Sequence, residues 1–189
     1  AYLEKNAADL KLDLTPIGET LLVPLNLFSR TVKSLDELKA KKSLKILIPE
    51  DVVNQARGLL VLQNAGLVEI DKAAGTSPLI KDVKANPFNI EFIEARGAQI
   101  PRSLEDADAG IINAGYARDA GFDPVKDPIF KDVIDLKNPA LHPFINLIVA
   151  RTADRDNEIY KKVVAAYHQP NVADAIREVY KGAAIPAWE

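Results

Sequence analysis

The chain has 189 residues, 48% of them hydrophobic, with 24 basic residues against 27 acidic ones and a formal net charge of −3. That is enough apolar material for one packed domain or two small lobes, and the interspersed charges argue against a nucleic-acid surface. With no cysteine, disulfides, thiolate metal sites and cysteine nucleophiles are excluded, and the longest apolar runs, such as Ile145-Asn146-Leu147-Ile148-Val149-Ala150, fall far short of a membrane span. The opening Ala1-Tyr2-Leu3 carries neither an initiator nor a signal peptide, as expected of a processed or truncated form.

In chain order, residues 2–12 read as a helix and residues 14–27 as an extended run that Pro16 and Pro24 make a poor central strand. Ser34 with Glu37 three residues on is a capping-box spacing, which starts a short helix ending in the basic run at residues 39–42. Lys45-Ile46-Leu47-Ile48 is a strand closed by Pro49, and residues 54–64 form the next helix, with Gly66 as its stop. Residues 78–84 are expected to be helical, Ile90-Glu91-Phe92-Ile93-Glu94 alternates as a strand, and residues 101–107 start another helix. Residues 109–112 are a continuous apolar run of small and branched side chains, the pattern of a parallel strand covered on both faces. The α/β alternation spans residues 34–120, and a proline-containing connector follows over residues 121–143. A strand at 144–150 and helices at 154–168 and 171–180 complete the chain, the last stopped by Gly182.

Asn113 sits where the apolar strand delivers its C-terminal end, the place where open α/β sheets bind ligands. An amide there offers donors and an acceptor but no useful pKa, which suits holding a small polar molecule more than transforming it. Asn146 likewise lies beside an apolar strand; for both amides, ligand contact and satisfaction by neighbouring backbone stand as equal alternatives. Arg57, in the first turns of the helix after residues 45–48, outlines an anion site with that helix's N-terminus; the alternative is a surface arginine or a partner for Glu50 or Asp51. Glu50-Asp51 reads better as capping groups than as an acid/base pair. Phe28 and Tyr116 either line an apolar pocket or, by default, pack in the core. His142 and His168, the only histidines, lack metal-ligand spacing and are assigned no metal; no cofactor motif, nucleophile elbow or phosphate loop occurs.

Ile48-Pro49-Glu50-Asp51 through Asn54 and Arg57 to Leu62, the block Ala98-Gln99-Ile100-Pro101-Arg102-Ser103-Leu104, the block Ile112-Asn113-Ala114-Gly115-Tyr116-Ala117, and Pro143-Phe144-Ile145-Asn146-Leu147-Ile148-Val149 resemble the methionine-binding lipoproteins of bacterial ABC importers, the MetQ/NlpA family. The resemblance implies an α/β type II periplasmic-binding-protein fold: two α/β lobes with a ligand cleft and two crossover segments. Residues 34–141 would be one lobe, and residues 1–33 with 142–189 the other, lacking the family's opening strand, helix and second strand. By position, Arg57 would clamp a ligand carboxylate, Asn113 and Asn146 would bond the amino and carboxylate groups, and Asn54, Phe28 and Tyr116 would complete the ligand site. Leu21 and Val23 depart from the family pattern at the side-chain pocket.

The implied protein is the non-catalytic binding subunit of an importer, monomeric and anchored by a lipid outside this chain on the extracytoplasmic face of the membrane. Its partners would be a free amino acid, most simply L-methionine, and an ABC permease with its ATPase. The alternatives are a binding protein for another apolar amino acid, a methionine derivative or a short peptide, and an α/β enzyme using Glu50, Asp51 and Arg57 on a carboxylate substrate.

Overall fold

A computed structural model describes residues 2–189, starting with helix α1 (Tyr2–Asp9) and strands β1 (Leu14–Glu19), β2 (Leu21–Leu22) and β3 (Leu25–Phe28). Helix α2 (Leu35–Lys39) starts at Ser34, whose side chain accepts the Glu37 N–H, while the Glu37 carboxylate accepts the N–H of Lys33, one residue before the cap. Strand β4 (Leu44–Pro49), helix α3 (Val52–Asn64) and strand β5 (Glu69–Ile70) follow, with Gly66 (φ +69°) providing the left-handed stop after α3. Then come β6 (Val83–Ala85), β7 (Ile90–Ala95), α4 (Ile100–Ser103), β8 (Ala109–Asn113), α5 (Ala114–Asp119), β9 (Leu147–Arg151), α6 (Glu158–Tyr167), α7 (Pro170–Val179) and β10 (Ile185–Pro186).

The chain divides into two compact units, residues 24–133 and residues 1–23 with 134–189. These boundaries differ from the expected 33/34 and 141/142 because β3 pairs along β8 and residues 129–132 bond to β3, which draws 24–33 into the central unit and ends it at Val133.

Within residues 24–133 the apolar run at 109–112 is an inner strand. The sheet order is β3-β8-β4-β7; β4 lies parallel to β8 and β7, and β3 is an antiparallel edge strand, the place Pro24 allows. Alternation along the strands feeds two cores. Leu25, Leu27, Ile46, Ile48 and Ile111 meet Leu59 and Leu62 of α3 on one face; Phe28, Leu47 and Ile112 meet Ile100 and Leu104 on the other. Each such buried side chain contributes about 1.5–3 kcal/mol. Gly58 lets α3 come close to the sheet, since a Cβ there would stand 3.1 Å from Ile111 Cγ2.

The unit of residues 1–23 and 134–189 holds two antiparallel strand pairs, β1 with β9 and β2 with β10, together with α1, α6 and α7. Pro16 is accommodated in β1 beside a register shift between Pro16 and Gly18.

Three sequence expectations are corrected. Residues 78–84 are not a helix: a single 3-10 turn (Ile80–Asp82) leads into β6, which pairs with β5, because Asp82 turns its carboxylate back to the Leu79 N–H and β-branched Val83 continues as a strand. The strand expected at 144–150 starts at Leu147, because Pro139–Phe144 forms a 3-10 turn capped by Asn138. Helix α6 begins at Glu158, not 154, because Asn157 caps it by accepting the Ile159 N–H at 2.8 Å. Among the described residues no helix is long and apolar enough to cross a membrane.

Candidate functional site

Parallel strands β4 and β8 end beside the starts of α3 and α5, and these two strand-to-helix junctions carry most of the candidate residues. Asn113 is the last residue of β8 and the N-cap of α5, its Oδ1 accepting the Gly115 N–H at 3.0 Å. Its amide NH2 donates to no protein group among the described residues. Strand alternation puts Asn113 on the same face as Ile111, the face that α3 covers.

At the other junction Asp51 caps α3, accepting the Asn54 N–H at 2.9 Å, and both its oxygens also accept from the Asn54 amide at 3.2 and 3.1 Å. Asp51 is therefore a capping group, as the sequence favoured, and Asn54 is the lock that holds it. Asp51→Ala should cost about 1 kcal/mol of stability, measured by urea denaturation. Glu50 stays at the surface, 3.5 Å from Arg96.

Arg57 is neither a surface arginine nor a partner of Glu50 or Asp51. It is 4% exposed, and its Nη2 donates to Asp132 Oδ2 at 2.6 Å, the acid itself being 8% exposed. Burial pushes the guanidinium pKa down, and the charge and hydrogen bond of Asp132 oppose that shift; an arginine nonetheless stays charged. Asp132 also accepts the Leu25 N–H at 3.2 Å through the same oxygen. Its own N–H donates to Asn26 Oδ1 at 2.9 Å, and the buried Asn26 amide donates in turn to the Pro124 carbonyl at 3.3 Å. Because Leu25 lies directly opposite Asn113 in the β3–β8 register, this polar cluster reaches the strand end that carries Asn113.

Asp132 and Asn26 were invisible to sequence reasoning. Asp132 lies in the connector 75 residues from Arg57 with no motif around it, and Asn26 sits inside a strand. The one available signal was an amide in the midst of the apolar residues of β3, which a buried strand tolerates only with partners.

Phe28, expected in the ligand site, is a core residue instead. It is 0% exposed, packs with Leu47, Ile100 and Leu104, and sets its ring 5.3 Å from Phe122, because its place in β3 turns it to the face opposite α3. Tyr116 on α5 is 44% exposed and lies over Gly97, where a Cβ would stand 3.0 Å from its ring.

Asn146 belongs to the other unit. Its N–H donates to the Leu21 carbonyl at 3.0 Å and its carbonyl accepts the Thr20 N–H and hydroxyl at 2.8 and 2.9 Å, so the backbone is fixed on both sides. The side chain is exposed and forms no hydrogen bond among the described residues. Of the two positions that depart from the family pattern, Val23 is buried and Leu21 pairs with Pro186. His142 bonds the Leu136 carbonyl at 2.8 Å; His168 bonds the Glu19 carbonyl at 2.7 Å and stacks on Trp188. Both histidines have structural partners.

The model of the NlpA lipoprotein family matches residues 1–188. The D-methionine-binding lipoprotein MetQ of Escherichia coli is 37% identical over 189 residues, covering 99% of this chain and 67% of its own length. Among solved structures, a nutrient-binding protein from Burkholderia cenocepacia bound to methionine superposes with a TM-score of 0.90 at 32% identity, over 99% of this chain and 76% of that one. The substrate-binding protein of a methionine transporter from Streptococcus pneumoniae gives a TM-score of 0.88 at 28% identity, over 99% and 73%. The α/β fold is thus that of the periplasmic substrate-binding proteins.

Proposed function

Because the chain belongs to the NlpA lipoprotein family, we propose that it is the substrate-binding component of an ABC importer, which takes up a free amino acid, L-methionine first, and delivers it to a membrane permease driven by its ATPase. The reading is carried by one observation: an asparagine at the C-terminal end of β8 uses its oxygen to cap α5 and leaves its NH2 without a protein partner among the described residues, on the face where Arg57 lies. Such an amide holds a polar ligand and transfers no proton. In this proposal Arg57 takes the ligand carboxylate and Asn113 bonds the ligand's polar end. Asn146, whose pinned backbone leaves its side chain exposed, is a second ligand-binding amide, and Tyr116 contacts the ligand side chain. Asn54 contributes by holding Asp51 and hence the start of α3.

A catalytic role is disfavoured by the work the acids already do: Asp51 is committed to its cap, and Glu50 lies exposed beside Arg96. The protein is proposed to act as a monomer on the extracytoplasmic face of the membrane, lipid-anchored as its relatives are named. Mass spectrometry of ligand released on gentle denaturation, followed by calorimetric titration with L-methionine, D-methionine and other apolar amino acids, tests it. Methionine is expected to give the strongest binding. A preference for leucine or a short peptide would shift the ligand to the alternative suggested by Leu21 and Val23, and no heat with any of them would overturn the proposal.

A further inference from the structure

The unit of residues 24–133 also encloses a cavity away from the candidate site. β3 pairs Leu25 with Asn113 and Phe28 with Gly110, so the loop after β3 leaves the sheet at the end opposite Asn113. That loop and the segment after α5 surround a cavity of about 410 Å³, lined by Arg30 and Lys33 from the first and by Phe122, Lys126 and Asp127 from the second. The loop is pinned. Ser29 Oγ donates to the Asp108 carbonyl at 2.6 Å and accepts the Thr31 and Val32 N–H groups, both at 3.1 Å. The Arg30 guanidinium lies 4.7 Å from the centroid of the Phe122 ring, and that ring packs in turn 5.3 Å from buried Phe28.

Arg30, Lys33 and Lys126 form no ion pair among the described residues, although the chain carries more acids than bases. The lining acid, Asp127, accepts the Asp123 N–H at 2.6 Å, and the nearby Glu37 carboxylate is turned to the Lys33 N–H at 2.8 Å. Three cations against one acid leave the cavity wall with two positive charges in excess. We infer that this cavity binds a small phosphomonoester, independently of the amino-acid site. Such a group carries about −1.5 to −2 charge at pH 7 and three strong acceptor oxygens, which matches the wall in charge and in its number of cationic donors. A carboxylate or a phosphodiester, with a single charge, leaves the wall half compensated. Because the guanidinium stacks by one face on Phe122, its N–H edge stays available for the phosphate as a fork, while the lysines act as point charges. The volume exceeds what a bare phosphate fills, and buried Val32 with half-buried Ile129 gives the ester's carbon substituent an apolar contact.

The test is calorimetric titration of the full chain at low ionic strength with glycerol 3-phosphate, inorganic phosphate and acetate, in the unmodified protein and in Arg30→Gln, Lys126→Gln and Lys84→Gln, the last lying outside the cavity. Glycerol 3-phosphate should bind one to one and at least tenfold more tightly than acetate. Arg30→Gln and Lys126→Gln should each weaken it at least fivefold, and Lys84→Gln should leave it unchanged. If Arg30→Gln does not fold once Phe122 loses its stacking partner, exposed Lys126 carries the test. Inorganic phosphate binding as tightly as the ester would overturn the ester as ligand, and equal weakening by Lys84→Gln would reduce the effect to diffuse attraction by net charge. Binding to phosphatidylglycerol vesicles without binding to the soluble ester would make the cavity a membrane contact and overturn the inference, as would no binding by any of these anions. All of these outcomes leave the amino-acid function standing, since Asn113 lies at the other end of the sheet.

Discussion

Asp132→Ala is expected to lower the free energy of unfolding by about 3–5 kcal/mol, the largest loss of stability among single changes at the site. The variant strands the Arg57 guanidinium, 4% exposed, in surroundings that already push its pKa down through desolvation. It also removes the acceptor of the Leu25 N–H on edge strand β3, which adds about 1 kcal/mol. Two outcomes separate a stranded charge from a lost contact. Arg57→Met combined with Asp132→Leu should recover most of the stability, since replacing both members of a buried pair with apolar groups is neutral or better, leaving only the orphaned Leu25 N–H. If the pair were a weak surface bridge instead, Asp132→Ala would cost under about 1 kcal/mol and the double change would recover nothing. Urea denaturation of the unmodified protein and the two variants decides between them.

Much of the central unit was legible because its elements obey short-range rules. The capping spacing at Ser34, Gly66 after α3 and the unbroken apolar run of β8 each tie a local pattern to a local structure. The missed elements are those whose conformation is decided elsewhere. β6 is a strand because β5 is there to pair with it, and the two-residue strands β2 and β10 exist only as each other's partners. The late start of α6 at Asn157 shows the same limit from the other side, since Asp154 offered an equally good cap in sequence but is used in a 3-10 turn.

The site divides the same way. Asn113 could be placed at a strand end from the residues before it, and Asp51 at a helix start from the residues after it. The partner of Arg57 could not, because an ion pair spanning 75 residues leaves no spacing to read. Phe28 shows how an aromatic beside a suspected pocket misleads: whether it faces ligand or core turns on one step of strand register, and the pairing of Phe28 with Gly110 sends it to the core.

Arg57→Ala should weaken methionine binding by about 2–5 kcal/mol, or roughly 30-fold to several-thousand-fold. The loss is large because the carboxylate would lose its charge-assisted partner, with no other cation among the residues assigned to the ligand. Part of any measured loss could come from a destabilised fold, since Asp132 then lacks its partner. Arg57→Lys resolves this. It keeps a positive charge facing Asp132 and so preserves much of the stability, yet a lysine cannot present the planar fork that serves two acceptors at once. Arg57→Lys should therefore fold nearly as well as the unmodified protein while still binding methionine at least tenfold more weakly by calorimetry. If it binds at full strength, Arg57 contributes only its charge; if Arg57→Ala also binds at full strength while folded, the ligand carboxylate is held elsewhere and Arg57 belongs wholly to the ion pair with Asp132.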